Sequence, residues 1–246
     1  MKATVEYKGS TFQIDLSRPI DISIPLKNGD DNPTAWNVPS VKMEPVVVED
    51  WIGDVKQGGD VNFFNITFNP HGHGTHTECV GHISKEKYSL NQCVKQFFFT
   101  AELKSLTPKK HKEDLIITLD SIRENWKETE AFIIRTLPNN SEKLSKKYSK
   151  TNPPYLQKEA AQFLKNQGVK HLLIDLPSLD KEVDGGVLEA HHAFWNHPKN
   201  PRLNCSITEL IYVPDEVKDG SYLLNLSFAP FDNDASPSRP TLYKIS

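Results

Sequence analysis

The chain has no apolar run approaching the roughly 20 residues needed to cross a bilayer, only three cysteines in 246 residues, and no excess of basic charge. The first absence argues against a membrane span. The opening "MKATVEYKGSTFQIDLS" also lacks the roughly 7–15-residue apolar core of a secretory signal. Cys79, Cys93 and Cys205, at irregular spacing, make no disulfide framework, so reduced thiols and a cytoplasmic location are expected. A net charge of −3 with neutral histidines offers no field for a phosphate backbone, which argues against a nucleic-acid partner. Internal repeats, low-complexity tracts and an evident linker are lacking too. One domain over residues 1–246 is the expectation, large enough to bury a sizeable core.

What is present reads as a mixed α/β chain. "TVEYKG" and "FQIDLS" alternate as strands do, and "VNFFNITFN" is rich in β-branched and aromatic residues. "SIRENWKETEAFIIRT" reads as a short helix followed by a strand over 131–136. Next comes a helix over 155–167, with Leu156, Ala160, Phe163 and Leu164 on one face and Gly168 at its end. "HLLID" predicts a buried strand over 170–175. This strand–helix–strand order implies a βαβ-like unit ending at Asp175, Pro177 and Ser178, where open α/β sheets tend to place ligands. "VLEAHHAFW" reads as a further short helix, and "SITELIYV", "SYLLNLSF" and "TLYKI" as closing strands. "KSLTPKKHKED" and "NNSEKLSKKYSKTNPP" are expected to be solvated connectors.

The chemistry concentrates in "NPHGHGTHTECVGHIS", residues 69–84, which holds His71, His73, His76 and His82, four of the nine histidines. Gly72 and Gly74 exclude a helix in practice. In an extended chain from Thr75 onward, His76 and Glu78 share a face, and His82 can close the set after a turn at Gly81. Imidazole nitrogen with carboxylate oxygen suits zinc or manganese, and such a metal can bring a bound water to a pKa near ~7. Spacing alone leaves open which histidines bind. Further donors lie in "EAHHAFWNHP", with His191, His192 and His197, of which His197 reads as a surface residue. Glu209 sits within apolar "SITELIYV", so it is exposed at an edge, paired, or bound to a metal. Cys79 reads as a buried structural thiol rather than a soft ligand.

These residues resemble the cyclase family of metal-dependent hydrolases, which includes kynurenine formamidase (arylformamidase) and isatin hydrolase. The family signature is H-x-G-T-H-x-D-x-P-x-H, and "GHGTHTECVGH" matches it at Gly74, Thr75, His76 and His82. "IDLSRPI", "NPTAWN", "FIIRT", "LLIDLPSLD", "EAHH", "ITELI" and "DASPSRP" extend the resemblance over most of the chain, the last as a closing loop. The resemblance implies a compact α/β domain with a mixed sheet and a β-barrel-like layer, often assembled as homodimers or homotetramers. It implies a zinc- or manganese-dependent hydrolase, with one or two ions, that cleaves a C–N bond of a small amide, an aryl formamide or a cyclic amide, and so points to tryptophan catabolism. His76 and Glu78 would be metal ligands, Glu78 standing for the family's bridging aspartate. His82, His191 and Glu209 would form a second metal site or a water-activating set, which makes His82, Glu78 and His191 the candidate catalytic groups.

The chain departs from the pattern in four places, one of them Glu78, a methylene longer than the signature's aspartate. The signature's first histidine falls on Gly72, so His71 or His73 would have to supply the missing ligand. Val80 replaces the proline, and "NHPKNPRLN" lengthens the interval from His191 to Glu209. A relative that has lost catalysis and binds a small molecule or a metal is therefore the alternative. On the substrate side an aromatic slot is expected. Trp36, Trp51, Phe63, Phe64, Phe194 and Trp195 are available, with Trp36 foremost as a wall, and Thr75 and Ser178 are candidate hydroxyl contacts. Ser178 lacks the G-x-S-x-G setting of a nucleophile.

Overall fold

The structure, a computed structural model, describes residues 1–245. Strands β1 (Lys2–Tyr7) and β2 (Ser10–Asp15) pair as an antiparallel hairpin turning at Lys8 and Gly9, both at positive φ, and β3 (Ile20–Asp21) follows. Four short strands, β4 (Lys42–Pro45), β5 (Val47–Val48), β6 (Trp51–Ile52) and β7 (Phe64–Thr67), then form an arm: β4 pairs with β7, and β5 with β6. The histidine loop leads into β8 (His76–Glu78) and a single 3-10 turn over Val80–His82, followed by α1 (Leu90–Cys93). Next come β9 (Phe98–Leu106), β10 (Lys109–His111), β11 (Asp114–Ile117), α2 (Leu119–Glu124), β12 (Ala131–Thr136) and β13 (Tyr155–Leu156). The chain closes with α3 (Lys158–Asn166), β14 (His171–Ile174), α4 (Glu189–Trp195), β15 (Ser206–Glu209), β16 (Gly220–Phe228) and β17 (Ala235–Lys244).

Seven strands close on themselves in the order β16-β9-β12-β14-β15-β8-β17, with β16 and β17 pairing to complete the ring and β3 added on β17. The run β9, β12, β14, β15 is parallel, and the remaining pairings are antiparallel. The fold is thus the expected mixed α/β architecture with a barrel-like sheet.

Alternation builds two apolar layers from the same strands. Ala131 and Ile133 of β12 join Phe99, Leu103, Leu173, Leu224 and Leu242 in the barrel interior. Phe132 and Ile134 face outward, with Leu172 and Ile174, against Ala160, Ala161 and Leu164 of α3 and Phe194 and Trp195 of α4. A parallel strand covered on both faces reads as a continuous apolar run, which is why "AFIIRT" and "HLLI" were legible. The expected βαβ unit is present as β12–α3–β14, with Ala131 opposite His171 in parallel register. Gly168 ends it at φ 84°, the left-handed conformation that glycine adopts without a Cβ penalty. Among the described residues, no helix is long and apolar enough to cross a membrane.

Several expectations are corrected. "KSLTPKKHKED" is not a solvated connector: it carries the end of β9, whose Leu106 is buried in the outer layer, and all of β10. In "NNSEKLSKKYSKTNPP", Lys143 and Tyr148 are buried. Lys143 Nζ donates to Thr136 O at 2.6 Å and pairs with Asp175 Oδ2 at 2.8 Å, which is what makes a buried ammonium tolerable. "DASPSRP" is no loop but the start of β17, where it supplies β8 with its second neighbour. Tyr155 and Leu156 form β13 beside β11 rather than the first turn of the helix. Strand β9, a barrel member, had no counterpart in the sequence reading.

Candidate metal centre

The site forms where the histidine loop enters the barrel. Asn69 Oδ1 accepts from the backbone N–H groups of His71 and Gly72, each at 2.9 Å, an Asx turn that tightens the chain. Gly74 has φ 66°, and the chain then extends into β8 as expected, so His76 and Glu78 point to one side. Strand β8 lies between β15 and β17, with His76 opposite Glu209 on one side and opposite Pro237 on the other. Glu209 is therefore the last residue of an interior strand rather than an edge residue. Leu210, at φ 53°, ends that strand. The Val80–His82 turn brings His82 back over Glu78, and α4 delivers His191.

The side chains of His71, His76, Glu78, His82, His191, Glu209 and Asp234 converge. His71 Nδ1 lies 3.1 Å from Glu78 Oε2, and His82 Nε2 lies 3.9 Å from the same oxygen. His191 Nε2 is 3.2 Å from Glu78 Oε1 and 3.6 Å from Glu209 Oε1, while His76 Nε2 is 3.4 Å from Glu209 Oε2. His76 Nε2, His191 Nε2 and both Glu78 oxygens are buried with no hydrogen-bond partner. Buried polar atoms are nearly always paired, so four orphans aimed at one point require something between them. Their chemistry, imidazole nitrogen and carboxylate oxygen, fits a divalent cation such as zinc or manganese. The sets His71–His76–Glu78 and Glu78–His82–His191 each bring three donor atoms within 4.8 Å of one another, with Glu78 common to both.

The orphan nitrogens are held in that state by their own rings. His76 Nδ1 faces Gly74 O at 3.1 Å, where only an N–H satisfies the carbonyl, leaving the Nε2 lone pair free. His191 Nδ1 does the same with Asp180 Oδ2 at 2.6 Å. Asp180 also accepts from the backbone N–H groups of Ala190 and His191 at 2.7 and 3.1 Å, which ties the carboxylate to the start of α4. A ligating histidine whose second nitrogen donates to a carboxylate or carbonyl is the usual arrangement at metal sites.

The structure places His71, and not His73, at the centre. His73 Nδ1 accepts from Asn69 N–H at 2.9 Å and Nε2 donates to Pro39 O at 2.8 Å, so both ring nitrogens are occupied by backbone away from the cluster. A side chain at position 72 would force Val38 or the turn to move, since a Cβ there would lie 2.7 and 2.8 Å from the two methyl carbons of Val38. His71, one residue earlier, instead brings its Nδ1 to 3.1 Å from Glu78 Oε2.

The electrostatics follow from this crowding. Burial alone would push Glu78 up, yet the charge of His82 and the His191 and His71 rings beside it hold it well below the ordinary carboxylate range. Burial alone would lower His191, but Asp180, Glu209 and Glu78 raise it well above the usual histidine value. His71 is likewise lifted to about 10, its hydrogen bond to Asp234 and the nearby Glu78 carboxylate outweighing desolvation. The carboxylates thus demand positive charge at this point, which protons or a metal ion can supply in competition.

The Cyclase family model matches residues 14–181, about two thirds of the sequence and including the whole histidine loop. The chain belongs to the cyclase family. Among curated proteins, this cyclase-family chain is 28% identical to the kynurenine formamidase of Bacillus cytotoxicus over 228 residues, 92% of this chain and 94% of that one. It is 27% identical to the kynurenine formamidase of Bacillus cereus over 245 residues, covering 94% and 97% of the two. Among solved structures, an isatin hydrolase bound to the product analogue thioisatinate superposes with a TM-score of 0.67 at 16% identity, covering 94% of each chain. A potential metal-dependent hydrolase with cyclase activity gives 0.67 at 17% identity, covering 92% of this chain and 97% of that one.

A cleft of about 290 Å³ opens beside the cyclase centre, lined by Trp36, Val38, His71, His82, Ser178, His191 and Glu209 among others. Of the aromatic candidates, Trp36 alone lines it. Phe194 and Trp195 are buried in the outer layer, and Trp51, Phe63 and Phe64 sit on the arm. Ser178 is at the cleft, its Oγ accepting from Asp180 N–H at 3.1 Å. Thr75 is not available to a ligand there: its Oγ1 accepts from Ile24 N–H at 2.8 Å and donates to Leu210 O at 2.5 Å. His192 and His197 face each other outside the site, Nδ1 to Nδ1 at 3.1 Å. Cys79 is the expected buried thiol, packed with Leu90, Cys93 and Val94. Asp175 is spent on Lys143 and Thr136 N–H.

Two carboxylates escaped the sequence reading. Asp180 lay within the quoted "LLIDLPSLD" but carried no spacing that linked it to His191. Asp234, in "DNDASPSRP", gave no signal distinguishing it from Asp232.

Proposed function

We propose that this chain is a metal-dependent hydrolase cleaving the C–N bond of a small aryl formamide or cyclic amide. The observation that carries this reading is the convergence of four buried, unpartnered donor atoms on His76, Glu78 and His191 beside an aromatic-walled cleft. His71, His76, Glu78, His191 and Glu209 are the side chains that would hold zinc or manganese, as one ion or two, with His82 left beside them as a base. A divalent cation in such a set polarises a carbonyl and lowers the pKa of a water toward ~7.

The remaining work falls to the chain itself. His82 stands at the mouth of the cleft with Nε2 directed to Glu78 and Nδ1 3.5 Å from Asp234 Oδ2, so it can take a proton from the attacking water and return it to the leaving amine. Glu209 Oε1 is fixed by Leu179 N–H at 3.0 Å, which keeps the carboxylate turned to His76 and His191. Trp36 offers a flat wall for the aryl ring, and the modest cleft favours a one- or two-ring substrate.

The test is metal analysis together with hydrolysis of N-formylkynurenine and of isatin. Stoichiometric zinc or manganese, with activity that disappears on chelation and in His76→Ala, supports the reading. Less than about a tenth of an equivalent after supplementation refutes it.

Assembly as a homodimer or homotetramer is part of the same proposal. The arm leaves Val47, Val48, Val55, Val61, Phe63, Phe64 and Ile66 exposed, an apolar density that a second copy would cover. Three free, buried cysteines accord with a reducing, cytoplasmic setting.

A further inference from the structure

The segment before β17 crosses the histidine loop and is pinned there by backbone. Cys79 N–H donates to Asp234 O at 2.9 Å, Leu90 N–H donates to Asn233 O at 2.8 Å, and Ala235 stands opposite Glu78 in the β17–β8 ladder. This register leaves the Asp234 carboxylate no choice of direction. Its Oδ2 reaches His71 Nε2 at 2.8 Å and His82 Nδ1 at 3.5 Å, and the two rings stack with centroids 4.3 Å apart. One carboxylate oxygen from the far end of the chain thus meets the outer nitrogens of two histidines whose inner nitrogens face Glu78.

We propose that Asp234 is a positioning residue that fixes the tautomer of His71, so that this ring ligates through Nδ1 while His76 and His191 ligate through Nε2. The inference rests on the metal-centre reading above and specifies which atom completes it. A histidine can offer one nitrogen to a metal only when the proton sits on the other. Asp234 accepts the Nε2–H of His71, and Nδ1 is then the lone pair aimed at Glu78 Oε2. The orientation of the ring agrees: Nδ1 lies 3.1 Å from Glu78 Oε2 while Nε2 is turned outward to Asp234. The same oxygen lies 3.5 Å from His82 Nδ1, a longer approach that leaves His82 Nε2 on the cleft side. Asp234 therefore does for His71 what Gly74 O and Asp180 do for His76 and His191.

The test uses the full-length protein labelled with ¹⁵N-histidine and loaded with zinc, read by long-range ¹H–¹⁵N correlation, with zinc affinity measured against a chelating indicator. The expected result is one ligating histidine with metal-shifted Nδ1 and protonated Nε2, assigned by its loss in His71→Ala. Asp234→Asn should weaken zinc about 10–100-fold, and should weaken it no further when added to His71→Ala. Far-ultraviolet dichroism and melting of Asp234→Asn establish that it folds, and Asp234→Glu, which retains the negatively charged carboxylate that asparagine lacks, should restore part of the affinity. A wild type that binds zinc through Nε2 nitrogens alone, or an Asp234→Asn variant with unchanged affinity, overturns this inference and leaves the hydrolase reading standing. A wild type that takes up no zinc or manganese overturns both.

Discussion

The missing side chain at position 72 makes a quantitative demand on Val38. A Cβ built on Gly72 would lie 2.7 Å from Val38 Cγ1, 2.8 Å from Cγ2 and 3.3 Å from Cβ, all inside ordinary contact. Gly72→Ala therefore forces Val38 or the Asx turn to move. Val38 is only half-buried, which allows partial relief, so the cost falls in the range for overpacking, about 1–3 kcal/mol. For a chain of this length, each kcal/mol shifts the melting temperature by roughly 2–4 °C, so a fall of about 2–12 °C is expected. The same displacement moves His71, and zinc affinity should drop with it. Val38→Ala alone removes two half-exposed methyls at a cost of about 1 kcal/mol or less. The double variant Val38→Ala/Gly72→Ala should then be more stable than the sum of the single effects by at least about 1 kcal/mol, a coupling read directly from a double-mutant cycle by thermal or urea denaturation. Additive effects, or a neutral Gly72→Ala, would refute the claim that Val38 is what excludes a side chain at 72.

Lys143→Met leaves the fully buried Asp175 without its cation and should destabilise by about 3–5 kcal/mol; Asp175→Asn added to it should recover a good part of this, checked by urea unfolding. His171 is held neutral, burial among neighbours that include Lys170 and Arg202 lowering it to about 3. A depressed folded-state pKa contributes stability that is full above the unfolded value near 6.5 and is lost as pH falls toward 3, so His171→Leu should flatten the acid slope of unfolding free energy by up to about 1.4 kcal/mol per pH unit between pH 6 and 4. An unchanged slope would show that His171 titrates freely. Saturating zinc or manganese at about 100 times the dissociation constant should stabilise the wild type by about 2.7 kcal/mol and His76→Ala by far less, measured as a shift in melting temperature. Phe63→Asp combined with Ile66→Asp should convert a dimer or tetramer to monomer in sedimentation; a wild type already monomeric at micromolar concentration defeats the assembly proposal.

The legible part of this molecule was local. Two-residue periodicity marks β1 and β2, and unbroken apolar runs mark β12 and β14, because a strand's environment on its two faces is written in its own residues. The pairing of His76 with Glu78 followed from the same period, and His82 from the turn at Gly81. The density of histidine around a matched signature was enough to locate the centre and name most of its donors.

The rest was decided across distances that no local pattern spans. Whether His71 or His73 points inward depends on Asn69 and Pro39 satisfying one ring with backbone groups while Val38 closes position 72. The role of Asp234 depends on β17 pairing with β8, contacts separated by more than 150 residues, and Asp180 acts only because α4 starts beside it. Lys143 looked solvated and "DASPSRP" a loop, since polar composition favours exposed, irregular chain until a specific buried partner or a neighbouring strand outweighs it. Sequence by itself set the family, the strand faces and the crowd of donors. Only the tertiary fold chose among those donors, because which nitrogen of a histidine is free depends on what the other nitrogen touches, and here those contacts come from the far end of the chain.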